Sequence, residues 1–403
     1  MIEKKYSNYL IAKLITKSVL EDLNTEENTQ LNDWLKQKGN KELYNRIVNV
    51  ENLQTKQEFL SALNSQDAYN NVQLKIALKK RKRMRRLLQR TIGAAAVLCL
   101  FVTAGIKWHN YIQTQQQIIS QQTLKEIKPG YEKATLILAN GVEINLEASI
   151  NKQIQLSGAA EINNLNNLLK YRPTADTNAG EIAYNTLYVP TGGIYTVELS
   201  DGTKVWLNSN SSIKYPEVFT GSQRVVELTG EAYFDVTKSD KQFVVKTEHQ
   251  DVTVLGTEFN VSAYTDDVYF STTLVEGKVK LSSNQNTDVI LTPGERGYLQ
   301  VIGNNTLKVN TVNTRNYTLW KDGRFYFEQE PLENILKKMA RWYGTDVKFE
   351  DESIKKTRFT GVVSKDKPIT YLLDIISKTS RISYMASKNN SGRYEITISK
   401  IKQ

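Results

Sequence analysis

The sequence predicts a multidomain protein: a small N-terminal all-α bundle, one transmembrane helix, an antiparallel β-sandwich or roll domain, and a C-terminal α/β domain. Three observations lead to this prediction. Residues 1–75 show apolar side chains at helical spacing, and a basic run is followed directly by an uncharged apolar run near residue 90. Alternating strand patterns begin at Ile127, and from residue 320 strands alternate with helices.

Residues 1–75 are predicted to form a bundle of short helices. Leu10, Leu14 and Ile15 share a face of the first helix. Asn24 or Thr25 caps a second helix that Gly39 ends, Asn40 caps a third, and a weaker fourth covers 53–63. The stripe Leu31, Trp34 and Leu35 belongs either to the core or to a partner-binding surface.

Residues 76–90 are predicted to form a basic juxtamembrane helix, and 91–108 a transmembrane helix. Nine Lys/Arg and no acidic residue lie between Lys75 and Arg90, whereas Thr91–Ile106 carries no charge. The positive-inside rule then places the N-terminus in the cytoplasm and the bulk of the chain outside it, with Trp108 as an interfacial anchor. The residues that set this orientation are Lys79, Lys80, Arg81, Lys82, Arg83, Arg85, Arg86, Arg90 and Trp108.

The apolar run is short for a membrane span. Its sixteen residues extend ~24 Å as a helix, against a hydrocarbon core of ~30 Å. Flanking leucines and snorkelling basic side chains can close that gap. A buried helix of a soluble domain is the alternative interpretation of the same run.

The net charge of +10 is concentrated at this juxtamembrane run, because residues 91–403 contribute only +2. A charge placed there suits anionic lipid, so membrane lipid is an expected partner and direct nucleic-acid binding is not. The single cysteine, Cys99, excludes a disulfide framework.

With two histidines in the chain, His109 and His249, no metal site, cofactor or catalytic residue is predicted. His249 is interpreted as a solvated turn residue. A membrane-anchored hydrolase is the enzymatic alternative, and it would need the carboxylates Glu227, Glu231 and Asp235 on one face of a strand.

After the membrane run, residues 109–126 are rich in glutamine and are predicted to form a polar stalk. A β domain is predicted over 127–319, with turns at Asn140-Gly141 and Asp201-Gly202. The Asn- and Ala-rich segment 149–181 shows no sustained period and is predicted to be mostly a long loop.

Residues 320–403 contain two copies of a strand–helix–strand unit, and Pro331 and Pro368 suit the first turns of the two helices. This repeat predicts an α/β domain of two βαβ units with a shared apolar face. The matching apolar positions are Leu332, Ile335, Leu336 and Met339 in the first helix and Ile369, Leu372, Leu373 and Ile376 in the second.

Residues 188–298 carry a family resemblance. The blocks YVPTGGIYTVELSDGTKVWLNSNSSIKYPEVF, RVVELTGEAYFDV, VTVLGTEFNVSAY, TLVEGKVKL and LTPGERGYL, in this order, closely resemble the FecR family of transmembrane sigma-factor regulators. The later stretch WKDGRFYFEQEPLENILKKMARWYGTDVKF resembles the C-terminal domain of some members, which is similar to the small signalling domains of secretins and TonB-dependent transducers.

The resemblance implies a single-pass anti-sigma factor of the inner membrane, with its C-terminal bulk in the periplasm. Its cytoplasmic bundle would bind an extracytoplasmic-function sigma factor, with Leu14, Leu31, Trp34 and Leu35 as the candidate binding residues. Its periplasmic part would receive a signal from the signalling domain of a TonB-dependent outer-membrane receptor. Release or site-specific proteolysis would then alter transcription.

A second functional hypothesis stays open. The strand pattern around TLVEGKVKL is also typical of a cupin-type roll, although His249 alone cannot supply the metal ligands of cupin chemistry. The alternative is therefore a membrane-anchored periplasmic sensor that binds a small ligand in an apolar β cavity and has no sigma partner.

Overall fold

The computed structural model describes residues 7–49, 54–55, 58, 65–147, 152–155, 159–174, 182–283, 288–300 and 306–401, without the side chains of 65–68 and 85–97. The chain divides into two compact units, Met1–Trp108 and His109–Gln403. The predicted weak fourth helix at 53–63 falls largely outside the described residues.

Three short helices form the N-terminal bundle. They are α1 (Asn8–Leu20), α2 (Thr25–Leu35) and α3 (Asn40–Val48). The Asn24 side chain accepts from the Glu27 backbone N–H, and the Glu27 carboxylate accepts from the Asn24 N–H. This capping box confirms Asn24 as the start of α2, because it satisfies two N–H groups that the helix itself leaves unpaired.

The connection between α2 and α3 differs from the prediction. α2 ends at Leu35, before Gly39, and Gly39 with φ +91° is instead the residue that precedes α3. Asn40 lies inside α3 and does not cap it; its Nδ2 donates to the Trp34 carbonyl at 2.8 Å. The Trp34 carbonyl also accepts from the Gln37 N–H at 3.2 Å, so Asn40 adds a side-chain donor to a carbonyl at the end of α2, where the helix itself supplies no i+4 donor.

A single helix, α4, runs over Ser65–Glu126, which is 62 residues. The stretches 76–90 and 91–108, each predicted to be helical, belong to this one helix, which extends through the predicted polar stalk 109–126 as well. Glutamine has a high helix propensity, and no Gly or Pro interrupts the stalk.

The apolar run predicted to cross a membrane belongs to α4. Its first part, 91–97, lies among the side chains that the structure does not describe. Within the described residues, no helix has a stretch that is both long and apolar enough to span a membrane.

The second unit begins with a β domain. Its strands are β1 (Tyr131–Glu132), β2 (Thr135–Ile137), β3 (Glu143–Asn145), β4 (Lys152–Gln155), β5 (Ala160–Leu165), β6 (Leu168–Pro173), β7 (Tyr184–Val189), β8 (Gly193–Glu198), β9 (Lys204–Leu207), β10 (Ser211–Pro216), β11 (Arg224–Asp235), β12 (Phe243–Lys246), β13 (Gln250–Val254), β14 (Glu258–Ala263), β15 (Tyr269–Glu276), β16 (Val279–Ser283), β17 (Asp288–Leu291), β18 (Glu295–Gln300) and β19 (Leu307–Thr311).

Strand β11 belongs to both sheets of this domain. Its first half pairs with β10 and β12, and its second half pairs with β9 and β14. Gly230 marks the change with φ +91°, and a Cβ there would lie 2.7 Å from the Ser211 Cα. Only glycine tolerates both the left-handed backbone and this close approach, so Gly230 allows one strand to cross between layers.

The two sheets share one core. One sheet runs β3-β2-β7-β10-β11-β12-β13-β16-β17 and the other β4-β5-β6-β8-β9-β11-β14-β15-β18-β19. Phe234 of β11 packs on Phe259 at 5.1 Å between ring centroids and on Phe243 at 6.1 Å. Because those two rings come from different sheets, Phe234 joins both layers.

Two features of the β domain contradict the sequence expectations. The segment 149–181, predicted to be mostly loop, contains β4, β5 and β6. The pairing is also not purely antiparallel, since β1 and β6 each pair with β8 in parallel and β11 pairs with β12 in parallel.

The C-terminal domain follows two short helical segments, α5 (Arg315–Thr318) and a 3-10 helix (Leu319–Asp322). Its elements are β20 (Arg324–Pro331), α6 (Leu332–Tyr343), β21 (Thr345–Phe349), a 3-10 helix (Glu352–Lys356), β22 (Arg358–Ser364), α7 (Ile369–Thr379), β23 (Ile382–Lys388) and β24 (Tyr394–Lys400). The predicted order strand–helix–strand therefore occurs twice.

The two predicted βαβ units interlock, which is a correction to their expected pairing. β20 pairs antiparallel with β22, whereas β21 pairs in parallel with β24, and β24 pairs antiparallel with β23. Each unit thus contributes its two strands to different sheets. The apolar positions predicted for the two helices are all buried, and Pro331 and Pro368 each stand just before the first helical residue.

Candidate functional site

The candidate sigma-binding residues lie in or beside the core of the N-terminal bundle. Leu14 and Leu31 are 3% and 4% exposed, so they pack inside the bundle and are not available to a partner. Trp34 and Leu35 are half-buried and pack on that core. A partner would therefore meet only the outer edges of Trp34 and Leu35, and their binding role stays a prediction.

The outer face of α1 carries apolar side chains that helical periodicity did not single out. Tyr9 and Leu20 are exposed at its two ends. Lys17 lies on the same helix and bonds the Glu27 carboxylate at 2.8 Å, which ties α1 to the capping box of α2. The hydrogen bond from Lys17 lowers the pKa of Glu27, as does the bond from the Asn24 backbone.

The basic run lies on α4. The residues Lys79, Lys80, Arg81, Lys82 and Arg83 are all solvent-exposed, and Trp108 is exposed as well. Arg85, Arg86 and Arg90 belong to the part of α4 whose side chains are not described. Val72, Ile76 and Leu78 are exposed on the same helix just before the run.

The three carboxylates of the hydrolase hypothesis are divided between the two sheets of the β domain. Glu227 lies on the half of β11 that pairs with β10, and it faces Lys214 at 3.6 Å. Glu231 and Asp235 lie on the other half, beyond the change of sheet at Gly230. Among the described side chains, no group of three His, Cys, Asp or Glu could hold a metal ion.

Glu231 instead anchors a contact between the β domain and the C-terminal domain. Its two oxygens accept from the Asn208 Nδ2 at 2.8 Å and from the Asn260 Nδ2 at 3.0 Å. The Asn260 Oδ1 in turn accepts from the Trp320 indole N–H at 3.0 Å. This chain of hydrogen bonds positions Trp320 against the β domain and satisfies the polar groups buried with it.

Lys365, on the other side of this contact, lies in an aromatic enclosure that we call the lysine box. Its ammonium nitrogen is 3.8 Å from the Trp342 ring centroid, 5.5 Å from that of Phe325 and 5.8 Å from that of Trp320. The residue is only 2% exposed. Burial lowers the pKa of Lys365 to about 7, although the charge of Glu231 acts in the opposite direction.

Arg341 of α6 makes a second contact with the β domain. Its guanidinium bonds both carboxylate oxygens of Asp267, at 2.6 and 3.2 Å, and one of Asp266 at 2.9 Å. It also stacks over the Tyr264 ring at 3.7 Å, and the Tyr264 hydroxyl donates to the Ser209 carbonyl. A bidentate, partly buried pair of this kind fixes orientation as well as proximity.

The end of α4 forms a third contact, with the C-terminal domain, which we call the helix-end contact. Leu124 and Ile127, which directly follows α4, are each 2% exposed in the same apolar core as α6 and α7. The Ser120 Oγ accepts from the backbone N–H of Ala386 in β23 at 2.8 Å. Glu126 pairs with Lys388 at 2.9 Å. The C-terminal domain therefore includes the end of α4 in its own core.

The linker after α4 is shaped by the same domain. A Cβ at Gly130 would lie 2.7 Å from the Trp342 ring, and the Gly192 N–H donates to the Arg341 carbonyl at 2.8 Å. Glycine is therefore required at 130 if Trp342 is to keep its place. The Pro129-Gly130 pair in the sequence indicates a turn, but it does not indicate that the Trp342 ring packs against Gly130.

Comparison with known proteins identifies both domains of the second unit. Residues 185–280 match the family described as FecR protein, and residues 324–396 match the family described as FecR, C-terminal. No curated protein matches the chain.

Two crystal structures of a candidate anti-sigma factor from Parabacteroides distasonis ATCC 8503, at 1.65 and 2.50 Å, are similar to part of the chain. Each is 28% identical in sequence to the matched part and has a TM-score of 0.49. The match covers 54% of this chain, and it covers 99% of the first crystallised chain and 100% of the second.

Proposed function

Because the chain belongs to the FecR family through both its β domain and its C-terminal domain, we propose that it is an anti-sigma factor that binds an extracytoplasmic-function sigma factor. The order of these two domains on one chain, behind a separate helical bundle, carries the proposal. The bundle α1–α3 is the sigma-binding part, and its exposed α1 face and the edge of Trp34 are the surfaces open to a partner.

Co-purification tests the sigma-binding proposal. The full-length chain, extracted in mild detergent, is expected to retain a tagged sigma factor encoded beside it. A Leu20→Asp variant puts a charge on the exposed α1 face and is expected to weaken retention. Lys41→Asp changes the charge of an exposed residue in the first turn of α3 and serves as the control. Absence of a complex, with both proteins folded, would reject an anti-sigma role.

The membrane topology belongs to the same proposal. The basic run beside the uncharged run favours a cytoplasmic N-terminus and a periplasmic second unit in the inner membrane. Both runs belong to one helix, and a helix is the conformation in which a single segment can cross a bilayer, because its backbone groups are satisfied internally. Reversing the charges of Lys79–Arg86 should invert or abolish insertion, and unchanged protease accessibility in membrane vesicles would contradict the topology.

The second unit is proposed to receive its signal from the periplasmic signalling domain of a TonB-dependent outer-membrane receptor. The helix-end contact supports a route for that signal, because a change in the C-terminal domain core acts directly on Leu124 and Ile127 at the end of α4. The output is release of the sigma factor or proteolysis of the chain. Pull-down with the isolated signalling domain of the receptor tests whether the second unit binds it. The Arg341→Glu variant tests whether that binding requires the contact between the C-terminal domain and the β domain.

A ligand sensor without a sigma partner is the alternative function. The β domain has an open cleft of about 240 Å³ beside Tyr184, Pro216 and Phe219. Small-molecule sites usually enclose ~300–1,000 Å³ and surround most of the ligand. This cleft gives no specific support to the sensor hypothesis.

A further inference from the structure

Among the residues that the structure describes, the buried Lys365 has fewer hydrogen-bond acceptors around it than an ammonium group requires. Its single hydrogen bond among the described residues is a long one, 3.5 Å from Nζ to the Asn208 Oδ1. No described carboxylate forms an ion pair with it. An ammonium has three N–H donors. Burying it while most of these donors lack an acceptor costs free energy, even where the charge rests on an aromatic face.

The neutral amine removes that cost and has a different chemistry. Burial brings the pKa of Lys365 to about 7, so a large fraction of the side chain is uncharged at neutral pH. An uncharged lysine amine in an apolar enclosure is a nucleophile. The three rings of Trp320, Phe325 and Trp342 also keep water from the amine.

The group that faces this amine is a carboxamide held in one orientation. The Asn208 Nδ2 donates to Glu231 at 2.8 Å, which turns the Asn208 carbonyl oxygen toward Lys365. The Asn208 backbone N–H also bonds the Glu231 carbonyl at 2.9 Å. Glu231 is itself held by Asn260, so nucleophile, carboxamide and carboxylate are fixed together before any reaction.

We propose that Lys365 and Asn208 form an intramolecular isopeptide bond that joins the C-terminal domain to the β domain, with Glu231 as the acid–base group. This goes beyond the proposed function and does not depend on it. The Lys365 Nζ attacks the Asn208 Cγ to give a tetrahedral adduct in which Nζ and Nδ2 are bonded to the same carbon. Because Glu231 already bonds Nδ2, the adduct brings Nζ beside the same carboxylate, which passes one proton from Nζ to Nδ2. The Cγ–Nδ2 bond breaks as the Nζ–Cγ amide forms, and ammonia leaves. No oxidation state changes, so no co-reactant is needed.

Glu231 is suited to this role because its Oε2 already bonds the atom that must leave. A carboxyl group that shuttles a proton at a leaving nitrogen is ordinary general acid–base catalysis. The product would be a neutral amide in an apolar enclosure, so the buried amine and its unsatisfied N–H donors would be replaced by a single amide N–H. The bond would also make the docking of the two domains permanent.

The mass of the intact full-length protein tests the proposal directly. The wild-type chain is expected to be lighter than its sequence mass by one ammonia, and a tryptic digest should contain a branched peptide that joins Lys365 to Asn208. The branched peptide is decisive because cyclisation of any asparagine to a succinimide also releases ammonia.

Two variants and a control complete the test. Lys365→Met and Glu231→Gln are each expected to restore the full sequence mass and to lose the branched peptide. Lys321→Met removes a lysine that also lies over aromatic rings, those of Trp206 and Tyr233, and should keep the mass deficit. A wild-type chain at its full sequence mass, with unlinked peptides, would overturn the proposal whether or not the variants fold.

Discussion

The helix-end contact predicts that Leu124→Ala loosens the C-terminal domain. Leu124 lies outside that domain in sequence but is 2% exposed in its core. Replacing a buried leucine by alanine costs ~2–5 kcal/mol, because the transfer free energy is lost and a cavity remains. We expect the free energy of opening of this domain to fall by ~3 kcal/mol, near the middle of that range.

Hydrogen exchange measures this change in the full-length chain. A loss of ~3 kcal/mol makes exchange about two orders of magnitude faster where amides exchange through opening of the domain. The peptides to follow are those of β23 and β24, since β23 donates its Ala386 N–H to Ser120.

Ile119→Ala provides the matched control on the same helix. Ile119 is 55% exposed, so its truncation removes little buried area and should leave exchange in β23 and β24 unchanged. If Leu124→Ala exchanged no faster than Ile119→Ala, the end of α4 would not support the C-terminal core, and the proposed route from that domain into α4 would fail.

Three further substitutions test individual features. Gly230→Ala should prevent the β domain from folding stably, because Gly230 has φ +91° and a Cβ there would meet Ser211. Gly141→Ala, where φ is +81° but the space is open, should lower the free energy of unfolding by only ~1–2 kcal/mol. Thermal melts followed by circular dichroism compare the two variants. Asn24→Ala should destabilise the bundle by ~1 kcal/mol, because the cap of α2 is lost. Asn24→Ser, whose hydroxyl can also cap the helix, should keep most of the wild-type stability in the same melts. Trp34→Ala should lower bundle stability, since Trp34 packs on the core; unchanged melting together with lost sigma retention would place Trp34 in the interface instead.

Local chemistry made several elements predictable from the sequence. The capping box of Asn24 and Glu27 depends only on neighbouring residues, and so does the Asp201-Gly202 turn between β8 and β9, where Gly202 has φ +84°. The buried positions of α6 and α7 followed from helical periodicity, which reports which face meets a core.

The segment 149–181 was misjudged although it contains a usable signal. Asn166 and Asn167 both have positive φ, and they form the two-residue turn between β5 and β6. Asparagine tolerates this conformation, and such turns favour tight hairpins. The abundance of polar residues in the segment hid the strands. Two of the six residues of β5 are asparagine, Asn163 and Asn164, and Asn164 is buried.

The candidate site was largely beyond reach of sequence reasoning. Lys365 stands in a polar stretch, SKDKP, and nothing in its spacing indicates burial. Glu231 was singled out as one of three carboxylates on a strand, but its role depends on Asn208, Asn260 and Trp320, which come from distant segments. Contacts between residues so far apart are set by the tertiary fold and leave no local pattern.

The helix-end contact also constrains the order in which the chain can mature. Ser120 and Ala386 are 266 positions apart, so the end of α4 is synthesised long before the strand that covers it. Until β23 and β24 arrive, Leu124 and Ile127 lack the part of their core that Ile382, Ala386, Ile396 and Ile398 supply, and apolar surface left open in this way favours aggregation. A chain truncated before β23 would lack these four residues and the Ala386 N–H that Ser120 accepts, so the end of α4 would stay incompletely packed.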